Sequence, residues 1–178
     1  MTMHATMLID EPVRLIPFDD AHVDGLRAAC AADPGIWEIY PLSMIGEHFA
    51  PSLQFIRAMP NWTTFAVLDG AEIVGMTSYI AVATPNAVEI GATYIAPHVR
   101  GGPFNRAMKR LMIDHAFANG YDAVEFRVDT RNGRSMRAVE KLGATKTAVL
   151  EKNMQTWTGY VRDTAIFCLS RADWETAA

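Results

Sequence analysis

Residues 89–118 read EIGATYIAPHVRGGPFNRAMKRLMIDHAFA, and the fold turns on how this stretch changes character twice. The segment AVEIGATYIA (87–96) continues a period-two pattern and reads as a strand. Pro97 stops it, and HVRGG (98–102) follows as a basic, glycine-containing loop. Pro103, a residue favoured at the first helical position, then opens a helix. In that helix Phe104, Ala107, Met108, Leu111, Met112 and His115 form one face, with Arg106, Lys109 and Arg110 off it. Free backbone N–H groups at such a start, together with the helix dipole, make an anion site. Arg100, Arg106 and Lys109 or Arg110 add positive charge, so a phosphate-bearing ligand is the expectation. A plain tight turn beside a solvated basic helix face is the alternative.

Working outward, Val13–Ile16 makes a short strand ended by Pro17. Asp19 or Asp20 can cap a helix through about Ala31, with Val23, Leu26, Arg27 and Cys30 at helical spacing. Asp33-Pro34-Gly35 breaks it. Residues 36–60 are rich in Trp, Tyr, Met, Pro and Phe and read as short helices and loops, either a pocket wall or interface or ordinary core. TFAVLD (64–69), the Asp69-Gly70 turn and EIVGMTSYIAVA (72–83) form a hairpin. Beyond Asn119-Gly120, Val124, Phe126 and Val128 alternate with Glu125, Arg127 and Asp129 in a strand. Met136, Val139 and Leu142 mark a short helix stopped by Gly143, and strands near 145–157 and 161–169 flank Thr158-Gly159. The predicted architecture is a single mixed α/β (α+β) domain of about seven strands, with residues 1–10 a flexible start.

Composition narrows the function classes. The 178 residues are 50% hydrophobic and 20% charged, which fits a folded domain rather than a disordered chain. No apolar run approaches the ~18–20 residues of a membrane span. The opening MTMHATMLID lacks the pattern of a secretory signal. Cys30 and Cys168 stand far apart, which suits a reducing cytoplasm, and the five scattered histidines give no metal-ligand spacing. A net charge of −4 argues against general nucleic-acid binding. The charge is unevenly spread. Residues 1–96 hold 3 Lys/Arg against 11 Asp/Glu, and residues 97–178 hold 13 against 9. One end should attract cations and the other anions.

Two pieces in order, VEIGATYIAPHVRGGPFNRAMKRLMIDHAFANGYDAVEFRVDTRNGRSMRAVEKLGA (88–144) and MQTWTGYVRDTAIFCL (154–169), resemble the GNAT superfamily of acyl-CoA N-acyltransferases. The branch containing the ribosomal-protein N-acetyltransferases RimJ and RimL is the most similar. The resemblance runs over roughly residues 13–174. It implies a mostly antiparallel central sheet flanked by helices, with acetyl-CoA as acyl donor and no metal. Backbone N–H groups of Gly101, Gly102, Phe104 and Asn105 would hold the coenzyme A pyrophosphate beside Arg100. Pro103 stands where the family usually has Gly and removes one donor, a loss of about 0.5–1.5 kcal/mol for a neutral bond. Thr93, Tyr94 and Ile95 align with the backbone contact to pantetheine and thioester, where the strand leaves its neighbour after a bulge. Asn132 and Ser135 match an Asn-x-x-Ser signature. Asn132 would cap the helix, touch the pantetheine arm, or both, and Ser135 would face the sulfur. Val139 stands where many such enzymes carry a proton-donating Tyr, so Ser135 is the substitute, stabilising the thiolate by a hydrogen bond.

The attacking amine must be neutral. An α-amine of pKa near 8 is about a tenth neutral at pH 7, whereas lysine near 10.4 is under about a thousandth. Glu89, on the strand with the thioester contacts, is the leading general base, directly or through water; Glu47 and His48 follow. His115 reads as a core histidine, and the Trp157 and Trp174 segments as closing the sheet or a homodimer. The expected activity is acetyl transfer to a primary amine, either a small molecule or a protein N-terminus. No nucleic-acid or membrane partner is expected. A catalytically weak acyl-CoA-binding or sensing module is the alternative.

Overall fold

A computed structural model describes residues 5–177. Its centre is one eight-stranded sheet of order β1-β2-β3-β4-β5-β6-β8-β7. The strands are β1 (Leu8–Asp10), β2 (Val13–Pro17), β3 (Trp62–Asp69), β4 (Glu72–Ala81), β5 (Ala87–Ile95), β6 (Ala123–Asp129), β7 (Thr145–Gln155) and β8 (Val161–Ser170). The helices are α1 (Val23–Ala31), α2 (Phe49–Ala58), α3 (Pro103–Ala118), α4 (Gly133–Glu140) and α5 (Arg171–Ala177). Every ladder is antiparallel except that between β5 and β6, which α3 connects as a crossover.

The eighth strand corrects the expectation of a flexible start. Leu8, Ile9 and Asp10 pair with Leu15, Arg14 and Val13, and Leu8 packs on the core. The part of that expectation covering residues 1–4 lies outside the described residues. Among the described residues no helix is long and apolar enough to cross a membrane.

Alternation divides each central strand between two environments. Val88 and Ile90 of β5, Val124, Phe126 and Val128 of β6, and Ala165, Phe167 and Leu169 of β8 pack with α3 in the larger core. Met76 and Tyr94 join a second core with Leu26 and Cys30 of α1, Phe49 and Leu53 of α2, and Trp37. The aromatic 36–60 stretch therefore supplies core. It also reaches the sheet's working end, because the Tyr40 hydroxyl donates to the Thr93 carbonyl at 2.8 Å. Trp157, in the β7–β8 turn, donates from its indole to Trp37 O at 2.7 Å and closes over the same segment.

The face of α3 differs from the one predicted. Met108, Met112, Ile113, Ala116 and Phe117 are buried, and so is Lys109, which sits four residues before Ile113 and seven before Ala116. Each fully buried Met or Ile here contributes roughly 1.5–3 kcal/mol, enough to hold a lysine stem against the sheet. His115 is half-buried rather than core, its ring 6.2 Å from that of Tyr79, and burial lowers its pKa.

Candidate active site

The chemistry gathers where β5 leaves β6. Their parallel pairing covers only Ala87–Ala123, Val88–Val124 and Glu89–Glu125, after which the strands diverge. On its other side β5 carries a bulge: Met76 faces Tyr94 and Ser78 faces Gly91, so Thr77 stands opposite both Ala92 and Thr93. Ala92 takes φ +48°, the left-handed strain such a bulge demands. Beyond Glu89 the β5 edge facing β6 has no ladder partner among the described residues, and its polar backbone groups face the opening where the strands part.

Side chains lock the bulge from the α3 face. The Lys109 ammonium donates to Thr93 Oγ1 at 2.9 Å and lies 5.7 Å from the Phe126 ring. Thr93 Oγ1 also lies 2.8 Å from Thr77 Oγ1. Burial pushes the Lys109 pKa down to about 7, opposed by the charge of Glu89.

The strand leads through a 3-10 turn at Pro97–Val99 into the start of α3. Gly101 has φ +75°, which favours glycine; Gly102 is the N-cap and supplies no side-chain cap. A Cβ at either glycine would meet nothing within 4 Å, so the space over the helix start is open. The Phe104 and Asn105 N–H groups belong to the first turn, which has no intrahelical acceptor for them. This is a fit for a diphosphate: open, glycine-lined and on the positive end of a sixteen-residue helix. The Arg100 guanidinium is not aimed there. It ion-pairs with Asp33, donates to Ile95 O at 2.7 Å and lies over the Tyr94 ring. The expectation of free positive charge from Arg100 is corrected accordingly: this side chain ties the loop to the second core.

On the sheet face away from α3, Glu89 and Glu125 share Arg127, with contacts of 3.4 and 3.3 Å. Thr84 donates to Glu125. Gly91 leaves room for Glu89, since a Cβ there would fall 2.5 Å from Glu89 Oε1. The Glu89 pKa rises to about 7, chiefly through burial, with Arg127 lowering it and Glu125 raising it. Just after the end of β6, Asn132 caps α4 by accepting from the Ser135 N–H at 3.1 Å. The Ser135 hydroxyl makes no hydrogen bond among the described residues, although its backbone N–H does.

The profile of the acetyltransferase (GNAT) domain matches residues 13–145. The chain belongs to the GNAT acetyltransferase family. A GNAT-family candidate acetyltransferase from Chromobacterium violaceum is 25% identical, with a TM-score of 0.89 over 98% of this chain and 91% of that one. A candidate acetyltransferase from T. thermophilus is 29% identical, with a TM-score of 0.88 over 99% and 95%. RimJ of Mycobacterium smegmatis, solved with CoA-disulfide, is 19% identical, with a TM-score of 0.77 over 94% and 87%, and shows a shared fold. No curated protein matches significantly. The chain is thus an acyltransferase of the GNAT fold.

Within that GNAT frame, the sequence-derived residues divide. Glu89, Thr93, Tyr94, Ile95, Gly101, Gly102, Phe104 and Asn105 follow one another along β5 and into α3, while Asn132 and Ser135 lie at the start of α4, which follows β6. The Tyr94 side chain turns into the second core, donating to Ala29 O at 2.7 Å, so only its backbone faces the opening. Glu47 and His48 are exposed on the 3-10 turn before α2, and His48 lies against Trp157. Trp174 packs at the far end, donating to Asp114 at 2.6 Å. Sequence reasoning misses the parts that Lys109, Arg127 and Arg162 play around this opening. Helical spacing from Ile113 and Ala116 marks Lys109, and period-two spacing from Thr164 marks Arg162.

Proposed function

We propose that this chain moves an acetyl group from acetyl-CoA directly to a primary amine in a ternary complex. The carrying observation is the β5–β6 divergence, bulged at Ala92–Thr93, with an uncapped helix start at one end and Glu89 at the other. Gly101, Gly102, Phe104 and Asn105 receive the pyrophosphate through backbone N–H groups, with Arg100 holding the loop in place. Backbone at Thr93, Tyr94 and Ile95 lies along the acyl-bearing arm and polarises its carbonyl. Asn132 steadies the α4 end, and the free Ser135 hydroxyl donates to the departing thiolate. Glu89, held near neutrality, accepts the proton from the amine. Acceptors include small amines and protein N-termini, the latter by kinship with the RimJ branch.

Calorimetric titration with acetyl-CoA, followed by thiol release across an amine panel, tests this. Micromolar binding and turnover are expected, with Ser135→Ala lowering the rate about tenfold or more. Binding without turnover on any amine favours a sensing module instead. No binding at millimolar ligand removes the reading.

We also infer a homodimer through the β7 edge. Every β7 residue is exposed, and Val149, Leu150 and Met154 stand beside the exposed Val161, Trp157 and Tyr160. An exposed apolar edge of this length is an aggregation hazard unless covered. Sedimentation should give twice the 19.7 kDa chain mass, and Val149→Glu with Val161→Glu should give the monomer. A monomeric wild type would refute the dimer.

A further inference from the structure

Arg162 is a feature of the acceptor side that the proposed transfer leaves unused. It lies on β8 two residues from Thr164, on the sheet face that also carries Glu89, Glu125 and Asp129. Its residue exposure is only 6%. The guanidinium Nε donates to Thr164 Oγ1 at 2.9 Å, and Thr164 donates to Asn153 Oδ1 at 2.7 Å. A β7 irregularity between Leu150 and Met154, with Lys152 at φ +48°, brings Asn153 to that hydroxyl. Arg162 is therefore aimed by a built chain of contacts.

Its terminal N–H groups have no partner among the described residues, and no carboxylate oxygen of those residues lies within 4.0 Å. The nearby acids are engaged elsewhere. Asp129 accepts from Arg131 at 2.8 Å, and Glu89 and Glu125 both lean on Arg127. Asp129 and then Glu89 remain close enough for their charges to act on Arg162, though neither touches it. Two carboxylates share one arginine, which leaves a negative excess, while Arg162 leaves a positive one. With Asp129 and Glu89 acting on Arg162 only at a distance, its terminal N–H fork is left to take a bidentate anion.

Resting on the acetyl-transfer reading, we propose that the preferred acceptor among these amines is a small zwitterion, its amine at Glu89 and its carboxylate or phosphate on Arg162. A free amino acid or an aminoalkyl phosphate has this chemistry. The two charges orient the molecule so that the nitrogen lies at the opening where β5 leaves β6.

The test uses matched acceptors: L-amino acids with their C-terminal amides and decarboxylated amines, and phosphoethanolamine with ethanolamine. Thiol release should show at least one anionic member with kcat/KM about tenfold or more above its neutral partner. Which anionic member wins separates carboxylate from phosphate. In Arg162→Gln that ratio should fall towards one, and Arg162→Lys should keep part of it. Equal kcat/KM within every wild-type pair, or a ratio unchanged in Arg162→Gln, overturns the proposal. Calorimetry with the best anionic acceptor alone separates this from failure of the transfer reading. Arg162-dependent binding without acetyl-CoA binding keeps the anion site and sinks the transferase. Binding that ignores Arg162 sinks the anion site whatever the transferase does. Thermal unfolding of each variant shows whether a loss reflects folding.

Discussion

Glu89→Gln should lower kcat about a hundredfold, within the range general-base catalysis usually supplies, and should also make the protein harder to unfold above neutrality. The amide keeps the size of the side chain but cannot take the proton from the attacking amine. In the wild type kcat should rise with pH up to about 7, where the Glu89 carboxyl ionises, and then level off. The variant should lack this limb. The effect on stability has the opposite sign. Folding raises the Glu89 pKa from 4.5 to about 7, so the folded state holds a proton that the unfolded state has released. Its favourable contribution is complete below the unfolded value and is lost as pH rises through about 7. Glutamine carries no such penalty, so above neutrality the variant should gain on the order of 1–3 kcal/mol. Lys109 acts in a separate window, because its depressed pKa makes stability rise between about 7 and 10.5. Denaturant melts across pH 5–8, taken with kcat profiles, check both halves. A turnover within threefold of wild type, with the acid limb intact, would exclude Glu89 as the base.

The contrast between Glu89 and Lys109 shows how far the sequence carries. Strand alternation and the Pro103 helix start make the β5–loop–α3 unit readable, because both signals are local. The β5–β6 divergence is readable only through the family resemblance, since nothing local says that pairing stops at Glu89–Glu125. Lys109 is easily misplaced because lysine defaults to a solvated face, whereas here Thr93 Oγ1 and the Phe126 ring receive its head. Arg100 misleads for a related reason: a basic residue beside an anion loop looks available until Asp33, 67 positions earlier in the chain, is seen to hold it. β1 is three residues long, too short for any periodic signal, and exists because β2 offers it an edge. Arg162 needs the β7 irregularity and Asn153 to acquire its direction. Pairings between distant segments decide charge in this site, and those are what a linear reading lacks.

Gly102→Asp should weaken acetyl-CoA binding about a hundredfold or more, near 2.7 kcal/mol, without harming the fold. Gly102 is the N-cap of α3 at φ −110° and ψ −162°, an extended conformation that any residue adopts. A Cβ there meets nothing within 4 Å, so no steric penalty is expected. Aspartate is among the best N-cap residues and improves on glycine by roughly a few tenths of a kcal/mol, so Tm should hold or rise slightly. The same carboxylate would accept from the Phe104 and Asn105 N–H groups, the donors assigned to the pyrophosphate. It would also set a negative charge within a few ångströms of a dianionic group, worth about 4 kcal/mol of repulsion before screening. Gly102→Asn separates the two effects, since it competes for the donors but carries no charge, and it should lose about tenfold. Gly101 cannot serve in its place, because φ +75° would strain any substituted residue and confuse folding with binding. Calorimetry at two ionic strengths gives the decisive pattern: the Asp defect should shrink in salt, and the Asn defect should not. Equal affinity across Gly, Asn and Asp would mean that the helix start does not hold the phosphate, and the assignment of the opening beside it would fall as well.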